Sequence, residues 1–187
     1  MILENILGAN FTALLRWSEQ IEDGIARRKL AQLKAQTQQF EEMPKARFIG
    51  VSTYYSSVVA LFYMLLLSYL SLAVALQGRF AGLFFAGGCL IFTLLIVAMS
   101  NVTKGRSLAL KLFVVIALLQ AGSLLILAIW PLYLSFSLLS AILWAVGVLL
   151  LWQARRIMNG EELAKLMRWR IRLRVMHYRR RALTKGK

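Results

Sequence analysis

Carboxylates are scarce in this chain. Asp and Glu number 8 against 23 Lys and Arg in 187 residues, and none lies between Glu42 and Glu161. Ion-coupled transport commonly places an acidic residue or a broken helix near the bilayer midplane, so this long neutral middle argues against it. The single cysteine, Cys89, excludes an intramolecular disulfide. The single histidine, His177, excludes a His-based metal cluster. The two prolines, Pro44 and Pro131, fall outside every apolar run. No nucleophile–base pair, Walker loop or dinucleotide fingerprint is present. We therefore read the chain as non-catalytic and expect neither cofactor nor metal. A basic n-region is also missing from the start, where Glu4 precedes Arg16, so no secretory leader is expected.

What the chain does have is four apolar runs: Val58–Leu76, Phe80–Met99, Leu108–Trp130 and Leu132–Trp152. Each is long enough, as a helix, to cross a hydrocarbon core of roughly 30 Å. With 59% hydrophobic residues and a net charge of +15, a soluble globule would leave too much apolar surface in water. The expected fold is all-α: an integral membrane protein with four transmembrane helices at about 57–76, 80–99, 108–130 and 132–152. The short connections at 77–79 and 130–131 predict two tight helical hairpins. Around this 57–153 domain lie an amphipathic and charged helical segment (1–43), a linker (44–56) and a basic tail (154–187).

Lys and Arg are distributed unevenly outside the runs. Seven precede run one, Arg79 sits between runs one and two, and twelve follow run four. Lys104 and Arg106 occupy the middle loop, joined by Lys111 near the start of run three. Basic residues are retained on the cytoplasmic side. Both termini and the 100–107 loop are thus expected there, in a bacterial inner membrane.

Helices associate in lipid through small residues and occasional hydrogen bonds. The expected packing or partner surfaces are Ser68 and Ser71 in run one, and Gly82, Ala86, Gly87, Gly88 and Thr93 in run two. Run three offers Ala117, Gln120 and Ala121, and run four Ser140 and Gly147. Gln120 is expected to bond a hydroxyl such as Thr93 or Ser68. Leucine at Gly87 or Ala121 is expected to weaken assembly more than a replacement of Ser137.

The N-terminal segment shows an apolar face of Ile6, Leu7, Phe11, Leu14, Leu15, Trp17, Ile21 and Ile25, suited to a headgroup layer or another protein. In the tail, Asn159 is a plausible N-cap, and Glu161 and Glu162 favour a helix start. A tail helix would carry Leu166, Trp169, Leu173 and Met176 on one stripe, whereas a strand would alternate Arg168, Arg170, Arg172 and Arg174 with apolar residues. The helix is the favoured reading. Arg168, Trp169, Arg170, Arg172, Arg174, Arg179, Arg180 and Arg181 are expected to contact anionic lipid or an acidic protein. Nucleic acid is disfavoured because no recognition fold accompanies the arginines. A homo-oligomer is compatible with the seams.

The functional expectation is a protein that binds another protein in or against the bilayer. By analogy of architecture, an immunity protein neutralising a membrane-acting toxin fits, as does an accessory subunit of a secretion or envelope complex. The alternatives are a holin-like permeabilising protein or small channel, and an interfacial lipid-modifying enzyme.

Overall fold

The computed structural model describes residues 7–27, 48–75, 81–129 and 138–185. The expected linker up to residue 47, the connections at 76–80 and 130–137, and the side chain of Arg179 lie outside the described residues. The described elements are helical: α1 (Ala9–Ala26), α2 (Phe48–Ala75), α3 (Ala81–Thr103), α4 (Ser107–Ile129), α5 (Leu138–Met158) and α6 (Glu161–Lys185).

Four of them are long and apolar enough to span a bilayer: Tyr55–Ala75, Phe84–Thr103, Ser107–Ile126 and Leu138–Met158. The chain is a multi-pass membrane protein. As described, the fourth span continues past Trp152 to Met158. Arg155 and Arg156 thus lie inside the last turn, where cations complement the helix dipole.

The widest packing face joins α2 to α5, and the next joins α3 to α4. Contacts between α2 and α3, and between α4 and α5, are narrower. Among the described residues the two expected hairpin pairs thus pack less widely than α2–α5 and α3–α4, and the connections that would close them lie outside those residues. The interior is apolar, with Leu61, Leu65, Leu95, Leu110, Phe113 and Ile116 fully buried.

Between α3 and α4 the chain turns through Lys104, Gly105 and Arg106. The Gly105 amide donates to Val102 O (3.0 Å) and the Arg106 amide to Asn101 O (3.0 Å), the paired bonds of a Schellman helix end. Gly105 sits at φ 62°, in the left-handed region. A Cβ there would lie 2.7 Å from the backbone carbon of Arg170. Glycine thus both permits the turn and lets α6 approach it.

Two flanking expectations change. The apolar face of α1 docks on the chain itself: Phe11, Leu14 and Ile21 are buried in the same core cluster as the spans. The tail is a helix, but its inward stripe is Leu163, Leu166, Met167, Ile171 and Val175. Of the expected stripe only Leu166 is buried, while Trp169 and Leu173 are half-buried and Met176 is exposed. The i, i+4 series 163–167–171–175 holds the aliphatic residues that fit against α1 and α2, which decides the rotation.

Candidate functional site at the basic end of the bundle

At one end of the bundle α1, the 104–106 turn and α6 meet in a polar junction centred on Glu22. Its carboxylate accepts from the Ser107 amide (3.0 Å) and from the Ser107 hydroxyl. It also accepts from Arg174 Nη1 (2.7 Å), which reaches on to Gly105 O (3.2 Å). The carboxylate of α1 therefore caps the start of α4, where unsatisfied amides and the helix dipole favour negative charge. Burial opposes ionisation of Glu22, but the bonds from Ser107 and Arg174 outweigh it and hold its pKa below the usual carboxylate range. Beside it, Lys111 pairs with Glu19 at 2.8 Å.

A second cap works in the same way. Helix α1 begins after Gly8, which has no side chain to offer its first turn. Asn159, between α5 and α6, fills that role across the fold. Its Oδ1 accepts from the Phe11 amide (3.4 Å), and its Nδ2 donates to Leu7 O and to Arg155 O (3.0 Å). This corrects the expectation that Asn159 caps its own tail helix. Gly8 has φ 95°, and a Cβ would collide with the Asn159 amide.

Of the tail arginines, Arg170 and Arg174 turn toward the protein. Arg174 is held by Glu22, and Arg170 lies 5.3 Å from the Tyr55 ring centroid and 4.7 Å from that of Trp169. Burial lowers the Arg170 pKa. Its Nε is buried without a hydrogen-bond partner. Arg168, Arg180 and Arg181 are exposed, and Arg172 is half-buried. A pocket of about 530 Å³ opens between the turn and the tail, its wall including Lys104, Arg106, Arg170, Arg174, His177 and Arg181.

The expected packing residues divide into two groups. Ser68 donates to Gly147 O (3.0 Å), and Ser71 to Ser68 O (2.9 Å), inside the α2–α5 seam. Ser140 and Gly147 are buried in α5. Gln120 donates to Leu65 O (2.8 Å), a backbone carbonyl and not the hydroxyl expected. Gly87 and Gly88 receive the Tyr69 ring, whose hydroxyl donates to Phe84 O (2.6 Å). By contrast Gly82, Ala86 and Thr93 are exposed, with Thr93 bonded to Cys89 O in its own helix (2.7 Å). The inward stripe of α3 is Ile91, Leu95, Ala98 and Val102. Ala117 and Ala121 line an apolar groove of about 430 Å³ between α4 and α5, with Trp144, Trp152 and Arg155. Ala121 thus borders open space, whereas Gly87 meets the Tyr69 hydroxyl.

Sequence reasoning missed Glu22 and misassigned Asn159. Each acts on a helix end far away in the chain, and no local spacing announces such a partnership. Among the described residues, no group of three His, Cys, Asp or Glu side chains is placed to hold a metal. No family model, curated protein or solved structure matches the chain.

Proposed function

We propose that the chain is a non-catalytic inner-membrane protein of a bacterial-type envelope, with both termini cytoplasmic, that works by binding another protein in or against the bilayer. The observation that carries this reading is the folded cap: α1, the middle turn and α6 are tied together at one end by Glu22 and Asn159. Basic residues cluster at that end, which favours its retention in the cytoplasm. A rigid, charged platform above a lipid-embedded bundle suits recognition by a protein that reaches the membrane from the side or from the cytoplasm. An immunity protein against a membrane-acting toxin, or an accessory subunit of a secretion or envelope complex, is the most concrete form of this function.

The channel alternative draws less support. A water path needs a continuous polar lining. Here Leu61, Leu65, Leu95, Phe113 and Ile116 are fully buried between the spans, and the buried Ser68 and Gln120 donate to backbone carbonyls of neighbouring spans.

The test is co-purification of full-length protein from native membranes in mild detergent, followed by mass spectrometry. The reading expects a stoichiometric partner that is lost when Glu22→Gln loosens the cap. Recovery of the chain alone, together with dye leakage when it is reconstituted into vesicles, would favour the permeabilising alternative.

A further inference from the structure

The basic pocket lies at the level where α3 ends at Thr103 and α4 begins at Ser107, both of them ends of candidate spans. It is therefore placed near the depth of lipid headgroups yet also faces the polar side. Its wall carries Lys104, Arg106, Arg170, Arg174 and Arg181. Among the described residues, Glu22 is a carboxylate bonded to this wall, and it is already occupied by Arg174 and Ser107. A concave surface with such a charge surplus focuses its field and concentrates anions. Guanidinium groups suit phosphate in particular, because their planar forks engage two oxygens at once.

Arg170 adds an independent observation. Its guanidinium is clamped against two aromatic rings, and its Nε is a buried donor without a partner. Clamping removes much of the ordering cost of binding. An unsatisfied buried donor is unfavourable, and an anionic oxygen accepting from the same group offsets that cost.

We infer that this pocket binds a phosphate monoester, carried either by a lipid headgroup or by a small soluble molecule. Basic pockets between transmembrane helices on the cytoplasmic side are known to suit phosphorylated headgroups. The site differs from general adhesion of the tail to an anionic leaflet, because it requires Lys104 and Arg106 of the turn. It also stands independently of the protein-binding function.

Full-length protein in phosphatidylcholine nanodiscs is titrated with glycerol 3-phosphate, and in parallel reconstituted at rising fractions of phosphatidic acid. Thermal midpoint and total tryptophan fluorescence are followed, with a Trp169→Phe variant identifying the share that Trp169 contributes. A saturable response to both probes supports a pocket open to water, and a response to phosphatidic acid alone supports a headgroup site. Arg106→Glu should weaken the response about tenfold, while Arg168→Glu, the same charge change outside the wall, should weaken it less than about twofold. No saturable response to either probe, an unchanged affinity in Arg106→Glu, or an equal loss in Arg168→Glu would overturn the assignment.

Discussion

The apolar bundle and its basic end are held together by different chemistry. Inside the bundle, neutral side chains reach for backbone carbonyls of the neighbouring span: Ser68 to Gly147, Gln120 to Leu65, Trp144 to Leu124. At the basic end the ties are charge-assisted or cap helix ends: Glu22 with Ser107 and Arg174, Lys111 with Glu19, Asn159 with the start of α1. The surrounding solvent explains the contrast. In lipid, no water competes for a carbonyl and a charge is expensive, so a neutral donor suffices. Where water competes, only charged or well-placed capping groups contribute appreciably.

Large-to-small changes should separate the two regions most clearly. Phe11→Ala, at a fully buried position of α1, should destabilise the cap by about 3 kcal/mol, because cavity and transfer terms both apply there. Unfolding in mixed micelles measures it. A loss confined to the spans, with α1 still docked, would break the distinction. Gly147→Ala tests the bundle side. The new Cβ would stand 2.9 Å from Ser71 Oγ and 3.3 Å from Leu124 Cδ2, so a loss of about 2 kcal/mol is expected from overpacking.

Glu22→Gln should cost about 1.5 kcal/mol at neutral pH by weakening the bonds to Arg174 and Ser107. Because the folded pKa of Glu22 is depressed, its contribution is present above the unfolded value of about 4.3 and is lost as pH falls through the folded value. Wild type and variant should therefore converge in acid. A difference that persists at low pH would show that the carboxylate charge is irrelevant. Asn159→Ala should cost about 1 kcal/mol, with amide exchange accelerated in the first turn of α1. Thr93→Val, on the exposed side of α3 and bonded only within its helix, should change stability by less than about 0.5 kcal/mol.

How much of this was legible in the sequence follows the same division. The four spans were readable because length and apolarity alone decide whether a helix crosses a bilayer. The helical tail was readable from its acidic first turn, Glu161 and Glu162. The inward faces were not. In lipid both faces of a span are apolar, so the stripe Gly82–Ala86–Thr93 looked as suitable as Ile91–Leu95–Ala98, and only packing against Tyr69 and the α4 face separated them. The cap was hidden for another reason. Glu22 and Arg174 stand 152 residues apart, and one acid beside Glu19 and Asp23 on a polar helix carries no mark of its partner.

The central claim is that the N-terminal helix α1 is docked on the head of the third span, with Glu22 of α1 and Arg174 of α6 meeting at the middle turn. The Glu19 carboxylate and Lys111 amine, 2.8 Å apart, allow a direct measurement. Treating the full-length protein in nanodiscs with a zero-length carbodiimide should join them within one molecule, seen in peptide mapping as a Glu19–Lys111 amide and lost in Glu19→Gln. Failure to form that amide while Lys111 still reacts with an added carboxylate, or its formation only between molecules, would contradict the docked arrangement.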